Sequence, residues 1–360
     1  MAVWMNKRYW FSLVEAVYLP TPRNISYFWN FGSLLGITIG LQVCSGILLT
    51  LYYISDSSIV FGVVDYMGRE PASGLFIRYS HIVGGSLVFI FFYLHIARGL
   101  VFGLYYQVGL WLTGSLMFVM AMAAGFLGYV LPWGQMSYWG ATVITNFCSV
   151  VPFVGQDFVC WIWGGFSVDG PTLIRFFSLH YLVPLLILFL IIVHFVVLHD
   201  SGSSNPLGVT SKSEKLYFYP YFVVKDFVGV FLGLFGVWIV FFWIPELFFE
   251  AQNANEANVL VTPPHIQPEW YYLAAYAVLR AVPSKGGGVL SLVLFVGVLF
   301  LLPFFYNKSG SLKVYSWFNH SFWIFWFLNF VLLTWLGACV VEYPFVDLAR
   351  VSAMLYFGLV

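Results

Sequence analysis

Four histidines in this 360-residue chain form two pairs with the same internal spacing. His81 and His95 are fourteen residues apart, and so are His180 and His194. Each pair lies in a long apolar stretch, where fourteen residues of α-helix make nearly four turns and rise about 21 Å. One helix face then presents two imidazoles at two depths. Imidazole binds metals and carries protons, so the pairs predict metal binding or proton transfer.

If two such helices run in the same direction side by side, each histidine of one helix faces a histidine of the other. His81 with His180, and His95 with His194, can then each supply both axial ligands of a haem iron. Ionisable residues inside membrane spans are costly and are usually functional. Four unrelated histidines bonded to helix carbonyls are the alternative, but they would need no matched spacing. We therefore expect two haems, one above the other, in a helical bundle.

Glycines repeat the same interval in the neighbouring apolar stretches. Gly32 and Gly46 are fourteen residues apart in the first stretch, and Gly114 and Gly128 are fourteen apart in the third. A residue without a side chain would let the edge of a porphyrin approach the backbone. Close helix packing through small residues is the alternative explanation. The shared interval favours the first.

Three arginines lie at span ends near the predicted haems: Arg78, Arg98 and Arg175. Guanidinium groups pair well with carboxylates, so these residues are expected to bind haem propionates. Anchoring of the span ends at the membrane surface is the competing explanation, most of all for Arg175. The four cysteines have no C-x-x-C spacing, so the sequence indicates neither a zinc site, an iron–sulfur cluster nor covalent haem attachment.

The elements that must position these side chains are membrane spans. The chain is 61% hydrophobic and 8% charged, which is too apolar for a water-soluble domain. About 20 apolar residues cross a bilayer core, and the sequence holds eight adequate or nearly adequate stretches: 31–54, 75–101, 110–131, 173–198, 222–244, 289–305, 322–341 and 345–360. We predict an all-α polytopic membrane protein with about eight spans, a haem-binding four-helix bundle followed by a second group of spans.

Charge predicts the orientation, and composition predicts the domains. Nine of the 15 Lys and Arg residues, but only four of the 15 Asp and Glu residues, fall on the side of the two termini. The positive-inside rule places that side in the cytoplasm or the mitochondrial matrix. The polar stretch 199–215 is rich in Ser and Gly and is the only plausible linker. The predicted domains are therefore 1–208, which includes an N-terminal helix lying on the membrane surface, and 209–360.

Over essentially its whole length the chain resembles cytochrome b of the respiratory quinol:cytochrome c oxidoreductase, complex III. Besides the four histidines, the resemblance rests on the segments Trp29-Asn30-Phe31-Gly32-Ser33, Gly128-Tyr129-Val130-Leu131-Pro132-Trp133-Gly134-Gln135, Trp139-Gly140-Ala141-Thr142-Val143-Ile144-Thr145-Asn146 and Pro268-Glu269-Trp270-Tyr271. The plastid relatives divide this region between two polypeptides and have one more residue between the histidines of the fourth span. The fused chain and its shorter histidine interval resemble the respiratory type, and its compact loops resemble the mitochondrial form more than the bacterial one.

The resemblance implies two non-covalent b-type haems and a quinol-oxidation pocket. His81 and His180 would hold the low-potential haem, and His95 and His194 the high-potential one. The pocket would be formed beside the first haem by Phe126, Tyr129, Gly140, Ile144, Pro268, Glu269 and Tyr271. Glu269 follows a proline and precedes aromatic residues, an apolar setting that favours proton exchange near neutral pH. A solvated loop acid is the alternative for Glu269.

A quinone-reduction site is implied at the opposite face. The resemblance assigns it His199, Ser203, Lys225 and Asp226, with Asn30 and Ser33 as further contacts. Quinone reduction consumes two protons, and a His beside an Asp and a Lys can deliver protons from water. From the residues alone, Lys225 and Asp226 would be explained as anchors at the start of a helix.

The implied function is a Q cycle, in which quinol is oxidised at one membrane face and quinone is reduced at the other. The expected partners are a Rieske iron–sulfur protein, a cytochrome c1-type subunit, other complex III subunits, the lipid bilayer and a second copy of the complex, with no nucleic acid. The expected location is the mitochondrial inner membrane, with a bacterial plasma membrane as the alternative. The chain departs from the family at Ala274 and Ala275, where bulkier residues are usual, so its quinol pocket is expected to differ in shape from that of the family.

Two other classes of membrane protein could also carry histidines inside their spans. A secondary transporter could use the histidines as a proton relay, but a relay needs no matched intervals, and the last four spans contain no counterpart of the pairs. A dihaem anchor of a dehydrogenase or hydrogenase would share the histidines but would lack the Pro-Glu-Trp-Tyr segment at residues 268–271.

Overall fold

The structure, a computed structural model, describes residues 18–208, 214–305 and 317–359. These residues contain one two-stranded antiparallel sheet, β1 (Pro20–Pro22) with β2 (Lys215–Tyr217). They also contain twelve α-helices: α1 (Phe31–Thr50), α2 (Val60–Arg69), α3 (Gly74–Val101), α4 (Val108–Val130), α5 (Gln135–Thr145), α6 (Gly155–Trp163), α7 (Gly170–Ser201), α8 (Tyr221–Trp243), α9 (Leu273–Ala281), α10 (Lys285–Leu301), α11 (Trp317–Ala338) and α12 (Phe345–Gly358). The predicted all-α class is confirmed. The predicted N-terminal surface helix lies outside the described residues.

Seven of these helices are long and apolar enough to cross a membrane: α1, α3, α4, α7, α8, α10 and α11. They correspond to seven of the eight stretches that hydropathy predicts. The eighth stretch forms α12, which has 14 residues where a span needs about 20. Among the described residues, seven helices therefore have the length and hydropathy of a span, in agreement with the predicted polytopic fold, and the eighth predicted stretch forms the shorter helix α12. The chain is a multi-pass membrane protein.

The first four spans form the bundle that carries the histidines. Helix α1 packs against α3, and α4 packs against α7. The longest helix, α7, begins at a capping box, in which the Asp169 carboxylate accepts from the helix backbone and the Thr172 hydroxyl from the Asp169 N–H. A cavity of about 240 Å³ lies between the two helix pairs and is lined by residues from all four helices. The predicted bundle is therefore a pair of helix pairs around an internal space.

A polar network ties the loop after α8 to the start of α5 and the end of α4. The Asn253 side-chain oxygen accepts from both the backbone N–H and the hydroxyl of Ser137, at 2.8 and 2.9 Å. The Ser137 hydroxyl also lies 2.6 Å from the Tyr129 carbonyl at the end of α4. The Gln135 side chain bonds the backbone of Asn258 and Val261. This network holds the loop beside the end of the histidine bundle.

Small residues allow the C-terminal helices to pack closely. Ala274 and Ala275 are buried, and their helix α9 lies against α11, where Gly337 approaches the Leu273 carbonyl. Arg280 donates to the carbonyls of residues at the end of α11, including Leu336 at 2.9 Å. The alanines that depart from the family pattern therefore lie in a helix–helix contact.

Polar contacts between helices attach the short helix α12 to its neighbours. Asn329 on α11 donates to the Ser352 carbonyl and accepts from the Ser352 hydroxyl, at 3.0 and 2.6 Å. The buried Tyr356 hydroxyl donates to the Phe295 carbonyl on α10 at 2.9 Å. Such bonds stabilise helix association in an apolar setting. Helix α12 thus has fixed partners on α10 and α11.

Candidate haem and quinone sites

The structure brings the two histidines of the first pair face to face across the internal cavity. The ring centroids of His81 on α3 and His180 on α7 are 6.2 Å apart, and both residues line the 240 Å³ cavity. A metal–imidazole bond is about 2 Å long, so one metal ion fits between two rings at this separation. Among the described residues no three His, Cys, Asp or Glu side chains cluster as a metal site. A bis-imidazole site therefore matches the available ligands.

The second pair lies one layer away along the same two helices. His95 lies on α3 and His194 lies on α7. Each follows its partner on the same helix by fourteen residues, which separates the two layers by about 21 Å along the helix axis. The fold thus places the histidines in two facing pairs at two depths.

Each of the four histidine rings lies against one of the four glycines in the adjacent helix. A Cβ added at Gly32 would meet the His95 ring at 3.3 Å, and one added at Gly46 would meet the His81 ring at 3.2 Å. At Gly114 the nearest atom is Cε1 of His194, at 3.5 Å, and at Gly128 a Cβ would overlap the His180 ring. The glycines therefore admit the imidazoles, a contact that the sequence analysis assigned to the porphyrin edge.

Hydrogen bonds at Nδ1 fix the orientation of three of the four rings. His180 Nδ1 donates to the Ala124 carbonyl at 2.9 Å. His81 Nδ1 is 3.0 Å from the Ser45 hydroxyl, and His194 Nδ1 is 2.8 Å from the Thr113 hydroxyl. With Nδ1 engaged, Nε2 is the nitrogen that remains to bind a metal. Partners of this kind orient metal-ligating histidines in proteins.

Among the described residues, Arg98 beside the second pair has no anionic partner. The Arg98 guanidinium lies 5.2 Å from the Trp29 ring centre, with Nη2 at 3.2 Å from His95 Nδ1. Its Nε is buried and has no hydrogen-bond partner. A buried guanidinium needs an anion to offset its desolvation. A haem propionate would supply that anion, so this residue fits the predicted group.

The other two predicted arginines have different surroundings. Arg78 lines the cavity together with His81, which places its guanidinium near the first pair. Arg175 donates to the carbonyls of Trp161 and Ile162, near the end of α6. Its guanidinium therefore holds α6 against the start of α7.

The Pro-Glu-Trp-Tyr segment is anchored to the bundle by aromatic side chains. The Tyr271 ring stacks on Phe89 of α3, with centroids 4.0 Å apart and an interplanar angle of 5°. Tyr93 donates to the Tyr271 carbonyl, and the Tyr272 hydroxyl donates to the Met122 carbonyl of α4 at 2.6 Å. These contacts fix the loop against α3 and α4, and with it the position of Glu269.

Glu269 lies in a largely buried position next to Tyr129. Burial raises the pKa of the Glu269 carboxyl to about 7, and the nearby Glu250 carboxylate acts in the same direction, whereas the Tyr129 hydroxyl opposes it. Among the described residues, the buried Tyr129 hydroxyl has no hydrogen-bond partner within 3.5 Å. A carboxyl with this pKa exchanges protons at neutral pH. The solvated-acid alternative does not describe Glu269 in this structure.

The remaining residues of the predicted quinol pocket lie on adjacent elements. Phe126 on α4 contacts Phe176 edge to face at 5.6 Å, and Pro268 immediately precedes Glu269. Gly140 and Ile144 are one turn apart on α5. A Cβ at Gly140 would meet no atom within 4 Å, so its face borders open space. Residues from α4, α5 and the loop before α9 thus share one end of the bundle.

At the other end, four predicted residues form a connected group between α1 and α8. The Asn30 amide donates to the Lys225 carbonyl at 3.0 Å, and the Ser33 hydroxyl donates to the Asn30 carbonyl at 2.8 Å. The Lys225 ammonium donates to the Ile25 carbonyl. Asp226 is adjacent to the Ser33 hydroxyl. Lys225 therefore has contacts beyond those of a simple helix-start anchor.

His199 and Ser203 come from the end of α7. His199 lies in the last turn of the helix, and its Nδ1 donates to the Phe195 carbonyl at 3.0 Å. Ser203 follows the end of α7 at Ser201. These residues are at the same end of α7 as His194, so they belong to the level of the second histidine pair.

Ser45 and Thr113 are the site residues that the sequence analysis missed. Each hydroxyl contacts a histidine Nδ1. Each also directly precedes one of the spaced glycines, as Ser45-Gly46 and Thr113-Gly114. A hydroxyl residue directly before a spaced glycine is therefore the sequence pattern that could have indicated these two contacts.

Comparisons with known proteins identify the family of the chain. The family described as Cytochrome b/b6/petB matches residues 16–202, and the family described as Cytochrome b(C-terminal)/b6/petD matches residues 256–357. The chain is also similar to a solved chain of a "Hyperthermophilic respiratory Complex III", with a TM-score of 0.86 and 29% sequence identity over 95% of this chain and 92% of that chain. Family membership implies haem binding. The chain belongs to the cytochrome b/b6 family.

Proposed function

We propose that this chain is the dihaem, quinone-handling subunit of a respiratory quinol:cytochrome c oxidoreductase. The observation that carries the proposal is the set of two facing histidine pairs, of which His81 and His180 have ring centroids 6.2 Å apart. A proton relay in a transporter would need neither glycines at matched intervals nor two imidazole rings spaced to hold one metal ion between them. The similarity to a chain of respiratory complex III supports the same assignment.

His81 and His180 would hold one non-covalent b-type haem, and His95 and His194 the other. Gly46 and Gly128 admit the rings of the first pair, as Gly32 and Gly114 admit those of the second. Arg98 and Arg78 would bind haem propionates. Arg175 could bind a propionate only after its hydrogen bonds to the carbonyls of Trp161 and Ile162 are broken. When bound, the two haems would carry single electrons between the two ends of the bundle.

Quinol would bind at the end of the bundle that carries Glu269. Tyr271, Pro268, Phe126, Gly140 and Ile144 would surround the ring, and Tyr129 would orient the Glu269 carboxyl. Because the pKa of Glu269 lies near 7, its carboxylate can accept a quinol proton and later release it to water.

Quinone would be reduced at the opposite end, beside the second histidine pair. His199 and Asp226 would supply protons to the quinone oxygens, with Lys225 and Ser203 as polar contacts. Asn30 and Ser33 hold the start of α1 against α8 and would fix the geometry of this site. Oxidation at one face and reduction at the other constitute a Q cycle, which contributes to the proton gradient.

The proposed partners, membrane and domain organisation follow from the sequence of the chain. The chain carries no arrangement of cysteines for an iron–sulfur cluster or a covalent haem, so we infer a Rieske protein and a c1-type cytochrome as partners, within a dimeric complex that has further subunits. The fused sequence and its compact loops favour the mitochondrial inner membrane, with the termini toward the matrix. The chain is organised as 1–208 and 209–360, with the boundary near Gly208.

The experiment that tests the proposal measures haem and activity in the complex purified with this chain. Pyridine haemochrome analysis is expected to give two b-type haems per chain, and the complex is expected to reduce cytochrome c with a quinol. A complex with two haems and no quinol oxidation would favour a dihaem anchor. A chain without haem would favour the proton-relay transporter.

The contact between Gly128 and His180 gives a further prediction. In Gly128→Ala the new Cβ would overlap the His180 ring, with Nδ1 only 2.9 Å away. The ring must move, and misplaced metal ligands lower affinity by about tenfold or more. We expect loss of the His81/His180 haem from the reduced optical spectrum. Gly40→Ala is the matched control, since a Cβ there meets no atom within 4 Å; equal haem in both variants would contradict the assigned contact.

A further inference from the structure

Two hydroxyl groups contact histidines that the proposed function assigns to different haems. Ser45 Oγ lies 3.0 Å from His81 Nδ1, on the neighbouring helix. Thr113 Oγ1 lies 2.8 Å from His194 Nδ1, also on the neighbouring helix. Neither residue belongs to the spaced histidines and glycines, and the two hydroxyls are in different layers of the bundle.

The direction of these hydrogen bonds follows from the second contact of each hydroxyl. The Ser45 hydroxyl is 2.8 Å from the Leu41 carbonyl, and the Thr113 hydroxyl is 2.8 Å from the Gly109 carbonyl. A carbonyl oxygen can only accept, so the single hydroxyl proton is donated to the helix backbone. The hydroxyl oxygen must then accept from the imidazole. Each imidazole is therefore held with its proton on Nδ1 and with the Nε2 lone pair free.

In the part of the chain that the structure describes, the two other histidines have no side-chain acceptor of this kind. His180 Nδ1 donates to a backbone carbonyl, that of Ala124. His95 Nδ1 faces the Arg98 guanidinium, which is a donor. The glycines against these rings, Gly128 and Gly32, follow Leu127 and Phe31. Each facing pair thus contains one histidine held by a hydroxyl and one that is not.

We propose that Ser45 and Thr113 are positioning residues, one for each haem, whose hydroxyls orient the ligand histidine and lower the midpoint potential of that haem. The inference rests on the proposed function, since it takes the four histidines as axial ligands. An acceptor on Nδ1–H makes Nε2 a stronger ligand base. A more basic ligand stabilises ferric over ferrous iron, so loss of the acceptor raises the midpoint potential.

The test is a redox titration of the assembled complex carrying Ser45→Ala or Thr113→Val, with electron paramagnetic resonance spectra of the oxidised haems. Loss of an outer-shell partner of a metal ligand typically changes metal affinity by about 10–100-fold. We expect a difference of about tenfold between the oxidation states, a rise of about 59 mV for one electron. Ser45→Ala should shift only the His81/His180 haem, and Thr113→Val only the His95/His194 haem.

Matched variants separate the hydrogen bond from packing. Ser45→Thr and Thr113→Ser keep the hydroxyl and are expected to restore the wild-type potentials. Thr38→Val removes a hydroxyl of α1 that donates to the Leu34 carbonyl without contacting a histidine, and should shift neither haem. If Thr113→Val prevents assembly, Thr113→Ala removes the same hydroxyl with a smaller side chain.

The outcomes distinguish this inference from the proposed function. A wild-type complex without two b-type haems would overturn the proposed function and the inference with it. Two haems in the wild type, with unchanged potentials and spectra in Ser45→Ala and Thr113→Ala, would overturn the inference alone. Equal shifts of both haems, or shifts of the same size in Thr38→Val, would identify a packing disturbance and would also overturn it.

Discussion

His95→Ala is expected to remove one b-type haem from the complex and to leave the other in place. In the proposed His95/His194 site both axial ligands come from the protein, so loss of one imidazole would remove half of the axial coordination. His81→Ala is expected to remove the other haem, because the two pairs lie about 21 Å apart along the same helices. The measurement is the haem content per chain with the reduced optical spectrum, where each variant should lack a different haem band.

His265→Ala is the control for the histidine variants. His265 is an exposed loop residue whose ring contacts Gln267, so its loss should leave both haems. Unchanged haem content in His81→Ala and His95→Ala would show that the iron ligands lie elsewhere. Loss of both haems from each single variant would indicate one shared site instead of two layers.

Glu269→Gln is expected to slow quinol oxidation by about 100-fold or more. General acid–base groups contribute about 10²–10⁴ to the rate, and 100-fold corresponds to about 2.7 kcal/mol of activation free energy. Glutamine retains the shape of the side chain but cannot accept a proton. The measurement is quinol:cytochrome c reductase activity at saturating quinol, with haem content as the test of intact assembly.

The pH dependence gives an independent check on Glu269. A carboxyl with a pKa of about 7 is mostly protonated at pH 6 and mostly ionised at pH 8. Only the ionised form can accept the quinol proton, so the wild-type rate should rise about tenfold from pH 6 to pH 8. This rise should be absent from the residual activity of Glu269→Gln.

Two neighbouring acids serve as comparisons. Glu250→Gln removes a carboxylate that raises the pKa of Glu269, so the pH profile should move to lower pH. Glu256 is an exposed acid in the same loop, and Glu256→Gln should leave the profile unchanged. A wild-type rate that does not depend on pH between 6 and 8 would exclude Glu269 as the proton acceptor.

The seven spans and the four histidines could be predicted because both depend on local sequence. Hydropathy over about 20 residues defines a span, and a fourteen-residue interval defines one face of one helix. Neither needs knowledge of a distant segment. The eighth stretch forms the shorter helix Phe345–Gly358, which has 14 residues. Its buried bonds through Asn329 and Tyr356 are contacts that hydropathy does not encode.

The surroundings of the histidines were decided only by tertiary structure. Ser45 is 36 residues from His81, and Thr113 is 81 residues from His194, so no helical period connects them. The burial of Glu269 depends likewise on Tyr129 and on the packing of Tyr271 against Phe89. The sequence alone determined which residues share a helix face, because backbone geometry repeats locally. Packing between helices that are far apart in the chain decides which faces meet. It therefore also decides which hydroxyl, glycine or carboxyl lies beside each histidine and beside each proposed quinone-site residue.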